Sequence, residues 1–203
     1  GSIARELGAE MMIVKGPMLK QQGLRQQEHS GDVDLWMRAA DIERMNAPLE
    51  AWGWAQGGDL WERYGLGHSV TFRPNVWGCE VDVHRRMTGI GADDASAFEL
   101  LLQQSTDACF AGVNIRVPRP EAHAVIAGLH MMRPEPGRAR PGWVASATAK
   151  CLAAAGVESL TFAERVGSYD ALYEAAVIAF PDEQLRTPTK TFVEQWGLHA
   201  ARD

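Results

Sequence analysis

The chain of 203 residues is long enough to bury a full core, as one large domain or as two small ones sharing an interface. With 46% hydrophobic and 23% charged residues and seven tryptophans, its composition is that of a folded globular protein and not of a disordered one. The net charge of −6 argues against nucleic-acid binding by bulk electrostatics, leaving only a local basic groove for that purpose. No apolar run approaches the roughly 18 residues that cross a bilayer, and the N-terminal stretch lacks signal-peptide order, so a cytoplasmic protein with no membrane partner is expected.

Residues 3–10 read as the end of a helix, and the apolar run "MMIVKGP" after them reads as a first strand stopped by Gly16 and Pro17. "MLKQQGLRQQ" suits a helix with Pro17 in its first turn, and "DVDLWM" is a second strand. Ile42, Met45, Leu49 and Trp52 are spaced as on a helix, with Asp41 as the expected N-cap and Gly53 as the stop. From Trp54 to His84 the pattern turns to period two, and "LWERYG", "HSVTFRP" and "CEVDVHR" predict an antiparallel meander that brings the sheet to about five strands. "DDASAFELLLQQ" predicts a capped helix and "GVNIRVP" a further strand. Beyond Pro118 and Pro120 the chain reads as helical, through "EAHAVIAGLHMMR", a loop "PEPGRARPGW" and two or three later helices. The expected fold class is α+β, with a catalytic part at 1–118 and a helical part at 119–203.

Alternate side chains of a strand share a face, so Asp32 and Asp34 stand together, about 7 Å apart along the chain, with Val33 and Leu35 opposite. "CEVDVHR" repeats the arrangement with Glu80, Asp82 and His84. Uncompensated, such carboxylates repel one another; brought together by one sheet, they offer oxygen ligands suited to magnesium or manganese and not to zinc. That chemistry serves phosphoryl transfer: a clamp on a triphosphate, and a carboxylate to take the proton of an attacking hydroxyl. Alternating acidic residues also line the solvated face of half-covered sheets. Their recurrence on two strands, after a strand ending in "VKG", favours a site.

"VKGP", "HSGDVDLW" and "CEVDVHR", in that order and spacing, resemble the nucleotidyltransferase superfamily to which DNA polymerase beta belongs. "VKGPML", the Arg25 region, "DVDLWMRAADIERMNAPLEAWGW", "HSVTFRP" and "VDVH" are similar to a bacterial family of uncharacterised nucleotidyltransferases, over residues 11 to about 130. The resemblance implies a nucleotidyltransferase-like mixed sheet flanked by helices and transfer of a nucleoside monophosphate from an NTP such as ATP, with Mg2+ or Mn2+. It places metal at Asp32, Asp34 and Asp82, with Asp82 also the base. The acceptor it implies is a hydroxyl or phosphate of a small molecule or peptide, with nucleic acid less favoured on the acidic balance.

Where the superfamily has a Gly-Ser turn, this chain has "KGP", so Lys15 is read either as a phosphate ligand in place of the serine or as a strand-end charge. Gly16 suits close approach of backbone to phosphate, and equally a tight strand-to-helix turn. Ser30 and Gly31 offer a hydroxyl and an amide to a triphosphate, or a plain turn. His84 and Arg25 are candidate substrate contacts, with His29, His68 and Arg38 as weaker ones; His130, Arg133, Arg138 and Arg140 form a local basic cluster or a solvated loop. The tryptophans are expected in the core, and Cys79, Cys109 and Cys151, without metal-ligand spacing, are expected as buried free thiols. Two other readings remain: a toxin-like transferase acting on tRNA, suggested by the Lys-Gly turn shared with AbiEii-type toxins, and a silent nucleotidyltransferase fold serving as a binding or scaffold protein.

Overall fold

In the computed structural model, which describes residues 2–26, 31–57, 67–76, 78–110, 112–134, 138–191, 194 and 196, the apolar run after Gly8 forms the edge of a mixed sheet. A short helix α1 (Ser2–Glu6) leads into β1 (Met11–Val14), and α2 (Pro17–Gln21) follows directly. α2 is shorter than expected, because the chain leaves the helix at Gln22 and turns at Gly23, whose φ is +75°. Next come β2 (Asp32–Met37), α3 (Ala39–Ala51), β3 (Trp54–Gln56), β4 (Ser69–Pro74) and β5 (Glu80–His84). The remaining elements are α4 (Asp94–Gln103), the strands β6 (Ser105–Phe110) and β7 (Val113–Pro118), and four helices: α5 (Pro120–Met132), α6 (Trp143–Ala155), α7 (Glu158–Arg165) and α8 (Tyr169–Ala179). None of the described helices is long and apolar enough to cross a membrane.

The five-stranded sheet has the order β1-β2-β5-β4-β3. β2 and β5 run parallel at its centre, and every other pairing is antiparallel. Of the meander expected between Trp54 and His84, the last two strands are present as β4 and β5 and the "LWERYG" strand lies outside the described residues, while β3, which had not been expected, pairs with β4. Strand β7 was expected, but it joins β6 in a separate two-stranded sheet; β6 had no clear signal, its "STDACF" run being largely exposed on both faces.

Period-two alternation divides the main sheet between two cores. Leu35, Met37, Val70, Phe72 and Val83 face α1 and α3, where Ile42, Met45 and Leu49 close the layer. On the opposite face Met12, Val14 and Trp36 pack under α4 to α8. Each such buried side chain contributes about 1.5–3 kcal/mol through removal of apolar surface from water. Trp36 is fully buried and its indole N–H donates to the Arg85 carbonyl at 3.2 Å. Helix caps follow the sequence in one case and not in the other. The Asp93 carboxylate accepts from the Ser96 amide at 3.0 Å and starts α4, whereas α3 starts at Ala39, so Asp41 is not its N-cap. Asp41 sits in the first turn instead, paired with Arg44 at 2.8 Å, where a negative charge meets the positive end of the helix.

The tryptophans depart from expectation. Trp36 and Trp196 are buried, but Trp52 and Trp143 are each 66% exposed. Of the cysteines only Cys151 is buried, and Cys79 and Cys109 lie at the surface because their strand-end and hairpin positions have no covering layer. Burial pushes the Cys151 thiol up to about 11. A thiol reagent at pH 8 is accordingly expected to titrate two groups quickly and the third only after unfolding; three fast thiols would contradict the buried position of Cys151.

Candidate active site

The central parallel pair sets the site. Its register places Asp34 beside Asp82 and Asp32 beside Glu80, and the antiparallel β4 places Thr71 beside Asp82 and Ser69 beside His84. Adjacent strands lie about 4.8 Å apart, so the alternation that puts Asp32 and Asp34 on one face also brings Asp82 to them. Ligand oxygens of Asp32, Asp34 and Asp82 all lie within 4.8 Å of one another. The helices that cover Trp36 and Val14 on the same face stop short of the three carboxylates, leaving them in the floor of a cavity of about 780 Å³.

The carboxylates are held from behind. Asp34 is buried; its Oδ1 is paired with the Lys15 ammonium and accepts from His84 Nε2 at 2.7 Å. Burial pushes the Asp34 carboxyl up, but the hydrogen bond from His84 and the charge of Lys15 outweigh it and hold the group below its ordinary value. The Thr71 hydroxyl donates to Asp82 Oδ1 at 2.6 Å. The Lys15 and His84 contacts of Asp34 and the Thr71 bond to Asp82 all fall on Oδ1. An all-oxygen set anchored in this way, with an oxygen of each residue within 4.8 Å of the others, fits a hard divalent cation.

Above the carboxylates the chain makes an unusual turn. Lys15 has φ +60°, the one non-glycine with positive φ among the described residues, and Gly16 follows at φ 58°, ψ −151°, a region open to glycine alone. The Lys15 N–H donates to His123 Nε2 at 2.7 Å, and Arg25 Nη2 donates to the Gly16 carbonyl at 3.3 Å. Lys15, Gly16 and Arg25 all line the cavity, as does His84, whose ring stacks on His68 at 5.8 Å.

The far wall comes from α5 and α6. His130 and Arg133 contribute from α5 and its end, and Arg133 Nη1 lies 3.2 Å from His68 Nε2. His130 keeps exposed surface, and the surrounding protein and then the charge of Lys15 push its imidazole down. Trp143, Ala147 and Lys150, at helical spacings of four and three, form the face that α6 turns to the cavity.

Expected site residues divide accordingly. Asp32, Asp34, Asp82, Lys15, Gly16, Arg25, His84, His68, His130 and Arg133 are brought to one cavity. Gly31 stands exposed at the start of β2 with open space where a Cβ would be, so nothing steric demands glycine there. Ser30 and His29 lie outside the described residues. Arg38 leaves the site to pair with Glu99 at 2.7 Å and cover the Phe98 ring, and Arg140 pairs with Glu174. Thr71 and His123 were not anticipated, nor was the Trp143–Lys150 face of the wall. A histidine wholly within an apolar helix signals that it has a hydrogen-bonding partner. Sequence does not say that this partner lies 108 positions away.

A mixed sheet that presents three aspartates from neighbouring parallel strands to a cavity roofed by helices defines a nucleotidyltransferase. The chain belongs to the family described as uncharacterised nucleotidyltransferase, whose model matches residues 3–144. Its fold is similar to the solution structure of the antibiotic-resistance factor ANT(2'')-Ia, at TM-score 0.54 and 15% identity over 90% of this chain and 93% of the other. It is likewise similar to the crystal structure of ANT(2'')-Ia in complex with adenylyl-2''-tobramycin, at TM-score 0.53 and 15% identity over 85% and 93%. An antigenic nucleotidyltransferase-like protein from Paracoccidioides brasiliensis follows at TM-score 0.50 and 15% identity over 88% and 84%. None of the curated proteins matches the sequence.

Proposed function

We propose that the protein transfers a nucleoside monophosphate from an NTP to a hydroxyl group of a small-molecule acceptor, with a divalent cation at Asp32, Asp34 and Asp82. The observation that carries this reading is the convergence of those three carboxylates, within 4.8 Å, on the floor of a large cavity in a nucleotidyltransferase fold. The acceptor oxygen bonds to the α-phosphorus, the bond to pyrophosphate breaks, and the hydroxyl proton passes to Asp82, whose carboxylate Thr71 holds in place. Pyrophosphate leaves with the electron pair. Lys15, Gly16 and Arg25 bind the triphosphate, and His84 orients Asp34. The cation, when bound, supplies Lewis-acid stabilisation of the phosphate charge. On this reading residues 1–118 carry the chemistry and 119–203 roof the substrates.

The cavity wall also bears on the acceptor. Apart from the aspartate trio, the charged residues of the described lining are cations: Lys15, Arg25, Arg133 and Lys150. A polycation such as an aminoglycoside, the kind of molecule adenylylated in the ANT(2'')-Ia complex, would meet like charge there. A neutral or anionic small molecule, laid along the Trp143–Ala147–Lys150 face, suits the wall better.

Calorimetric titration of the four NTPs with magnesium, on wild type and on Asp32→Asn/Asp34→Asn, tests the reading. Binding that needs magnesium and disappears in the double variant is the expected result. Absence of NTP binding under any metal condition would overturn it in favour of a scaffold role, and labelling of tRNA in place of small molecules would favour the toxin-like transferase.

A further inference from the structure

We propose that His123 is a positioning residue for the donor triphosphate, acting through the backbone of the Lys15–Gly16 turn; the proposal rests on the transferase reading above. His123 lies in the first turn of α5, has no exposed surface, and is flanked along the helix by buried alanines and branched aliphatics. It has two hydrogen-bond contacts. Nε2 accepts the Lys15 N–H at 2.7 Å, and Nδ1 lies 2.6 Å from Gln22 Oε1. Gln22 Nε2 in turn donates to the Pro118 carbonyl at 2.8 Å.

The roles in this chain follow from its two ends. A backbone N–H can only donate, so Nε2 of His123 carries no proton; a backbone carbonyl can only accept, so the Gln22 amide nitrogen faces Pro118 and its oxygen faces His123. Nδ1 therefore bears the proton and donates to Gln22. One tautomer satisfies every group, and a charged imidazolium would have to give up the bond to Lys15. Burial, and secondarily the charge of Arg25, push the His123 pKa down to about 3, in keeping with a permanently neutral ring.

What this neutral acceptor holds is the strained part of the site. Lys15 stands in the left-handed region that a side chain disfavours, and its N–H, buried at the end of β1, has its bond to His123 in place of a strand partner. With Arg25 on the Gly16 carbonyl, the turn is pinned at both ends: the amide of Lys15 by α5, and the carbonyl of Gly16 from the segment after α2. Between those pins the Gly16 backbone faces the cavity, and the Lys15 ammonium reaches Asp34. A turn tied down in this way presents its amide and ammonium to phosphate without reordering on binding.

The test compares four proteins by the dissociation constant of the NTP found to bind wild type, with magnesium present, alongside thermal melts. In His123→Leu the acceptor is removed and volume retained; in His123→Gln an amide oxygen can replace Nε2; Ile126→Ala damages the packing of the same helix and leaves both hydrogen bonds to the turn in place. The expected pattern is a rise in dissociation constant of at least tenfold in His123→Leu, recovery to within about threefold in His123→Gln, and no change in Ile126→Ala despite a lower melting temperature. Wild-type affinity in His123→Leu, or an equal loss in Ile126→Ala, would overturn the proposal while leaving the transferase reading intact. Failure of wild type to bind any NTP would overturn both. If His123→Leu does not fold, Gln22→Met, which removes the acceptor for Nδ1 together with the bond to the Pro118 carbonyl but leaves the ring in place, is expected to weaken NTP binding several-fold, and unchanged affinity there would overturn the proposal.

Discussion

Asp82→Asn is expected to slow nucleotidyl transfer by about 10³-fold, within the range of removing a general base and ligand carboxylate together. The substitution is nearly isosteric. Its amide oxygen can still accept from Thr71, so the neighbouring strands keep their register, and a half-buried position gives little scope for loss of packing. What disappears is the negative charge that takes the acceptor's proton and helps to hold the cation. Loss of one of three crowded like charges leaves stability within about 1 kcal/mol of wild type. Pyrophosphate release under saturating NTP, measured beside a thermal melt, checks both parts. A rate within tenfold of wild type would remove Asp82 from the proposed chemistry.

Asp34→Ala is expected to cost stability as well as activity, about 3–5 kcal/mol, because it strips the counter-ion from a buried lysine. The His84 Nε2 proton loses its acceptor in the same step. Asp34→Asn, which keeps an acceptor for His84 but not the charge, should fall between alanine and wild type. The pH dependence has a definite sign. The folded-state pKa of Asp34 lies below the ordinary value of 3.8, so its stabilising contribution is complete above 3.8 and is lost as pH falls through the lower, folded value. Denaturant titrations carried from neutral pH to well below 3.8 should therefore show an acid loss in wild type that sets in below 3.8, and a shallower one there in Asp34→Asn by up to the slope of one proton. Parallel curves for the two proteins would mean that the Lys15–Asp34–His84 cluster does not carry the effect.

These two aspartates differ in kind although the sequence presents them alike. Asp34 is anchored by the Lys15 ammonium just past β1 and by a ring nitrogen of His84 on β5, while Asp82 takes one neutral hydroxyl from β4. The first is preorganised by charge, which makes it a structural element of the sheet as well as a proposed ligand. The second is held by a neutral hydroxyl donor, which suits the proton-accepting role proposed for it.

Much of this was legible along the chain because it depends on short-range pattern. Strand alternation alone puts Asp32 with Asp34 and Asp82 with His84, the glycine at 16 marks the turn, and the apolar runs give the helical part after Pro118. The order and spacing of those signals was enough to point to the family. Other features had weak local signals. β6 is exposed on both faces, α2 is cut short by a glycine turn, and the Cys79 and Cys109 thiols are left outside because no layer covers their strand ends.

Tertiary structure decided which partner each polar group would have. The parallel pairing of β2 with β5 set Asp34 beside Asp82, the fold of α5 across β1 set His123 against Lys15, and the same fold drew Arg133 into the cavity and left Arg38 with Glu99. The physical reason is that a side chain's face is fixed by the backbone dihedrals of its own few residues, whereas its partner is fixed by which segments pack together. The chain itself determined that there would be carboxylates on a strand face and a polar ring in an apolar helix; only the packed fold determined that the carboxylates meet and that the ring holds the turn above them.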